Sequence, residues 1–215
     1  MRKPWLWCLA AFLLVPGPVR AADADALKAA KERMAVRLAQ DRAECAKGAG
    51  ASGLLGRWMA FVSATCKARK NLERRVDKTP AEKLPDVLAE LFVDELSAGS
   101  SRGRYPPMAD YLEVFGEPAV APLVTRYDAV GETRQKEVLR VLGVIGSEAA
   151  LPLVRSELKK RNPWTLAAAG YALCRIRKEA AREELLPVLR DPQVDPRIVF
   201  AMLQQLSTLD DPGWP

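Results

Sequence analysis

"VLRVLGVIG" at 138–146, "AAGYALCRI" at 168–176 and "VFAMLQQL" at 199–206 are three statements of one apolar pattern. Val138, Val141, Leu142 and Ile145 align with Ala169, Ala172, Leu173 and Ile176, and again with Val199, Met202, Leu203 and Leu206. The spacing inside each copy is helical, and the copies recur with a period of about 30 residues. Ahead of each lies a second apolar segment that carries a proline: Pro122 in "AVAPLV", Pro152 in "AALPLV" and Pro187 in "ELLPVL". Two short helices per period, neither able to bury its apolar face by itself, predict an all-α chain built as a short right-handed α-solenoid of helical hairpins.

Cap residues place the second helix of each hairpin. Asn162–Pro163 and Asp195–Pro196 each put an N-cap side chain before a proline suited to the first helical position. Pro122, Pro152 and Pro187 are expected inside the first helices, where a proline removes a hydrogen bond and bends the axis. An earlier, divergent repeat is read over 80–116. Thr79, Pro80 and Glu82 form its start signal, and Leu84, Val87, Leu88, Leu91 and Phe92 its buried stripe. Its second helix carries Met108, Tyr111, Leu112 and Phe115 and ends at Gly116, as Ile145 is followed by Gly146. The segment 97–107, "SAGSSRGRYPP", reads as a loop inserted between the two. The repeat domain is thus expected over 79–209, with a tail at 210–215.

Upstream, Leu27, Ala30, Met34, Leu38 and Cys45 form one helical stripe, and Leu55, Met59, Val62 and Cys66 a second, separated by "GAGASG". Residues 22–78 are therefore expected to form an N-terminal helical hairpin that covers the first end of the array. Residues 1–21 read as a signal peptide. Arg2 and Lys3 precede an apolar run from Leu6 to Val15, too short for the roughly 20 residues of a membrane span, and Val19 and Ala21 suit a cleavage site. The expected location is the periplasm or the exterior, with no stable membrane span after cleavage. Cys45 and Cys66 are the natural disulfide pair in that setting, the alternative being two buried thiols.

The signal segment carries Arg2, Lys3 and Arg20 and no acid, so its removal lowers the formal charge from +6 to +3. Acids and bases then nearly balance, unlike the one-sided basic surface of a nucleic-acid binder. The chain has no histidine. That excludes Ser-His-Asp and Cys-His catalysis and histidine-bound metal, and the cysteines have no CxxC spacing. "GAGASGLLG" at 48–56 lacks the strand before it and the Lys-Ser/Thr ending of a phosphate loop. These readings predict a protein that is not an enzyme, with no cofactor and no metal.

The second-helix segments "VLRVLGVIG" and "AAGYALCRI" resemble those of HEAT and HEAT-like (PBS-lyase-type) repeats. The resemblance implies that second helices line a concave binding face. It also implies an Asp–Arg ladder between repeats, yet Gln135, Leu166 and Pro196 stand at the nominal Arg positions, with Arg134 and Arg197 one residue away. Outward residues of those helices would include Arg134, Arg140, Trp164, Tyr171, Arg175 and Arg197, side-chain types that anchor protein interfaces. The expected function is an exported scaffold or adaptor for a protein partner. Two alternatives stand beside it: self-association, including a homodimer through Phe200, Leu206 and Leu209, and a lyase-type enzyme subunit as implied by some members of the family.

Overall fold

The computed structural model describes residues 21–48, 66, 69–70, 72–98 and 107–209, with side chains of the first helix described from 24 to 43. The expected signal peptide at 1–21 lies outside the described residues except for Ala21, as do most of 49–71 and residues 99–106 and 210–215. Among the described residues the regular structure is helical and no strand occurs. The α-helices are α1 (Ala21–Gly48), α2 (Leu84–Ser97), α3 (Pro107–Phe115), α4 (Val120–Thr125), α5 (Glu132–Ile145), α6 (Leu151–Lys160), α7 (Leu166–Arg177), α8 (Ala181–Leu189) and α9 (Pro196–Thr208). No described helix is long and apolar enough to cross a membrane.

Contacts between helices follow two interleaved series. α1 lies against α3, α3 against α5, α5 against α7 and α7 against α9. Among the even-numbered helices α2 packs on α3 and α4, α4 on α5 and the turn before α6, α6 on α7, and α8 on α7 and α9. One continuous apolar core runs through all of them, from Leu27 on α1 to Met202 on α9. The stripes read from the sequence form it: Val138, Val141, Leu142, Ala169, Ala172 and Leu173 have no exposed surface.

The close approach of α5 and α7 explains a glycine in mid-helix, where it otherwise costs about 1 kcal/mol relative to alanine. A Cβ at Gly143 would stand 2.8 Å from the Cα of Ala172, so the two backbones touch. Gly116 and Gly146 end α3 and α5 at positive φ, 82° and 74°, which glycine adopts without strain, and Gly146 with ψ of 15° is a left-handed C-cap. Arg161 and Lys178 also have positive φ, 55° and 51°, with Arg161 in the left-handed helical region and Lys178 outside it at ψ of −124°.

Three local expectations are corrected. A 3-10 turn precedes each of α2, α4, α6 and α8, at 81–83, 117–119, 148–150 and 178–180. In consequence Pro152 occupies the second residue of α6 and Pro122 the third of α4, positions whose N–H has no partner within the α-helix. Only Pro187 stands inside its helix. Pro85, unremarked in the sequence, sits at the same second position of α2. Thr79 does not cap the helix after it: its hydroxyl donates to the Arg75 carbonyl at 2.6 Å and closes the preceding helical segment. Asn162 caps a turn and not α7 itself. Its Oδ1 accepts from the Trp164 amide, and α7 begins four residues later at Leu166. Asp195 caps α9 as its sequence predicts, accepting from the Arg197 amide at 2.8 Å.

Candidate protein-binding face

The polar contacts that join successive hairpins repeat with the period of the apolar pattern. Ser147 donates to Glu117 at 2.9 Å, the Asn162 amide to Glu132, and Arg177 to Glu148 at 3.3 Å. Arg155 makes a two-nitrogen contact with Glu184 at 2.7 and 2.9 Å, and Arg161 approaches Asp191 at 3.4 Å. Each pair is separated by 29 or 30 residues in the sequence. Glu184 is held below its ordinary value by the Arg155 hydrogen bond, with Arg177 adding to the effect. These pairs join the hairpins through residues other than those of the ladder the family resemblance implies.

Two further polar clusters centre on the buried acids Glu157 and Asp41. Glu157 on α6 is 1% exposed and accepts from the Thr165 hydroxyl at 2.8 Å and from Lys160 at 2.6 Å. The Tyr127 hydroxyl, buried beside them, is pushed well above its ordinary value by burial and by the Glu157 carboxylate. Between α1 and α3, Asp41 accepts from the Tyr111 hydroxyl and from Arg37. Arg33 reaches from α1 to the last carbonyls of α3, donating to Val114 and Phe115 at 3.3 and 3.2 Å. That contact satisfies helix-end acceptors and places a cation at the negative end of the dipole.

The six outward residues fall into two groups. Arg140, Tyr171 and Arg175 lie in the middle and second half of α5 and α7. The Tyr171 ring rests against Gly143, one turn beyond Arg140 on the same side of α5, so ring and guanidinium share a face. Arg140 is exposed and stands 3.3 Å from Glu137, while Tyr171 and Arg175 are half-buried. Arg134, Trp164 and Arg197 instead mark the N-terminal edge: Arg134 in the first turn of α5, Trp164 in the turn before α7, and Arg197 second in α9. From Arg134 to Arg140 the rise along the axis is about 9 Å. Trp164 is 56% exposed.

The central row extends further than the sequence reading took it. Asp110 stands six residues before Gly116 as Arg140 stands six before Gly146, and Arg37 on α1 approaches Asp110 at 3.8 Å. Burial pushes the Asp110 carboxyl up, against the pull of Arg37. The signal for this was an acid one repeat period ahead of Arg140, legible only once the glycines were aligned.

Cys66 is disulfide-bonded, and its partner's side chain lies outside the described set, as does that of Cys45. Cys174 is a buried free thiol, its pKa pushed up to about 11 by burial. Among the described residues no group of three or more His, Cys, Asp or Glu side chains could hold a metal ion. Comparison with protein-family models, curated proteins and solved structures finds no match to this chain.

Proposed function

We propose that this chain is an exported, non-catalytic scaffold of HEAT-like hairpins, a short right-handed α-solenoid that holds a protein partner on the exposed side of its odd-numbered helices. The observation that carries the reading is the unbroken contact series α1–α3–α5–α7–α9, beside which side chains of the even-numbered helices and the turns before them pair at the repeat period. Such a series holds successive helix surfaces at fixed spacing, which suits an extended segment of a partner better than a small molecule. Arg140, Tyr171 and Arg175 supply a cationic and aromatic centre of the kind that concentrates interface energy. The balanced charge of the chain without its first 21 residues favours a protein over a nucleic acid.

Capture from an envelope fraction tests the reading. The chain as exported is compared with an Arg140→Ala/Tyr171→Ala/Arg175→Ala variant of equal thermal stability. Loss of a specific captured protein supports the face, and equal capture by both removes it. N-terminal sequencing of the exported protein tests the signal segment, with a new terminus at Ala22 or Asp23 expected.

A further inference from the structure

Three apolar positions that earlier copies of the repeat bury are uncovered in the last one. Leu142 and Leu173 have no exposed surface, yet Leu203 at the same place on α9 is 49% exposed. Phe200 is 68% exposed where the earlier copies carry the buried Leu139 and Gly170. Leu186, just before Pro187, is 41% exposed, whereas Leu151, just before Pro152, is buried. Leu186, Leu189, Leu203 and Leu206, with Arg182 and Ser207, enclose a groove of about 280 Å³ between α8 and α9. These helices end the two contact series, and no later hairpin among the described residues covers the groove.

We propose that a second copy of this chain covers it, pairing α8 and α9 with their counterparts about a twofold axis near Leu203. The two ends of the array decide between like-with-like and head-to-tail pairing. At the first end the apolar stripe of α1, from Leu27 to Leu38, is buried. The exposed side of α1 carries Lys28, Glu32, Gln40 and Arg42, with Val36 as the one large apolar side chain among those described. That surface does not match an apolar groove, whereas the groove matches itself. A like-with-like contact also closes on two copies, while head-to-tail stacking adds copies without limit. Charge permits the pairing. Arg182 is the charged residue of the lining, stands where α8 begins and α9 finishes, and approaches Glu179 at 3.3 Å. Twofold rotation carries its counterpart to the opposite end of the face, so the two guanidinium groups stay apart while Leu203 meets its own copy. The size fits a reversible dimer: two adjacent helices of this length offer a footprint of about 20 by 20 Å per copy, at the small end of specific interfaces. The inference rests on the repeat register and the groove, and stands apart from the partner face on α5 and α7.

Sedimentation equilibrium of the chain as exported tests it. The expected result is a monomer–dimer equilibrium with a dissociation constant in the micromolar range and no larger species. Phe200→Glu and, independently, Leu203→Glu should each raise that constant by about tenfold or more, because each places two carboxylates in one apolar contact. Both side chains are exposed in the single chain, so helical circular dichroism should not change. An equimolar mixture of Leu203→Glu and Leu203→Lys should dimerise more tightly than either variant alone, since near the axis each copy meets the other's side chain at 203. The Arg140→Ala/Tyr171→Ala/Arg175→Ala variant should keep the parent's constant. A chain that stays monomeric at millimolar concentration overturns the proposal and leaves the groove to another occupant. So does a dimer that neither glutamate weakens, a mixture no tighter than its components, a series of species growing beyond the dimer, or loss of the dimer in the triple alanine variant.

Discussion

The hydroxyl of Tyr111 donates to Asp41 Oδ2 at 2.7 Å, joining α3 to α1 across 70 residues of sequence. Tyr111 is 1% exposed and Asp41 9%. Tyr111→Phe removes the donor, keeps the ring and leaves the buried carboxylate with one partner fewer. The expected cost is about 1–3 kcal/mol, read as a lower midpoint in urea with an unchanged slope.

The same phenol predicts an alkaline limit to stability. Burial, with the Asp41 hydrogen bond second, pushes Tyr111 far above its ordinary value of 10.0, and burial does the same to Tyr127 beside Glu157. Both groups stay protonated in the folded chain after their unfolded counterparts have ionised. Their contribution is therefore fully present below pH 10 and declines as pH rises above it. Thermal unfolding followed from pH 8 to 11 should show the decline, and Tyr111→Phe should roughly halve its slope.

Two mid-helix glycines should respond differently to the same change. A Cβ at Gly143 meets the backbone of Ala172 at 2.8 Å, whereas one at Gly170 meets the side chain of Met202 at 2.9 Å. Backbone cannot yield without parting α5 from α7, while a methionine can change rotamer. Gly143→Ala is expected to destabilise by about 1–3 kcal/mol. Gly170→Ala should stay within about 1 kcal/mol of the parent, as the gain in helix propensity offsets the repacking.

Glu157 and Thr165 make the most buried polar contact between α6 and the start of α7. Thr165→Val keeps the shape and leaves Glu157 Oε2 without the hydroxyl, at an expected cost of about 1–3 kcal/mol. Combining it with Glu157→Gln should cost less than the sum of the two single changes, because each removes part of the same contact. Chemical denaturation of the four chains measures the coupling.

Cys174 should be inert in the folded protein. Its thiol is buried and its pKa lies near 11, so little thiolate exists at pH 8 and reagent cannot reach it. Labelling with a thiol reagent at pH 8 should leave Cys174 unmodified until denaturant is added, and Cys174→Ser should abolish that denaturant-dependent increment.

The apolar stripes and the glycine stops were legible because they are local. Val138, Val141 and Leu142 face one way by helical geometry alone, and Gly146 ends α5 through its own backbone. The roles of Thr79 and Asn162 were misread because each has two competing backbone partners, and the preceding helical segment or turn won. Pairs such as Arg155–Glu184 could not be read singly, since each acquires meaning only when two hairpins are set in register. The candidate face divides on the same ground. Arg140 and Tyr171 follow from helix periodicity, but Arg37 and Asp110 depend on how α1 and α3 meet.

The distance in sequence between α1 and its neighbour α3 has a temporal side. During synthesis α1 is complete by Gly48, but its partner surface on α3 is finished only at Phe115. Until then Leu27, Ala30, Met34 and Leu38 have no native surface on α3 to meet. Closing so long a loop is entropically slow compared with forming the hairpins downstream. The contact of α1 with α3 is thus expected to follow its contact with the turn at 81–83, which the chain supplies about 30 residues earlier.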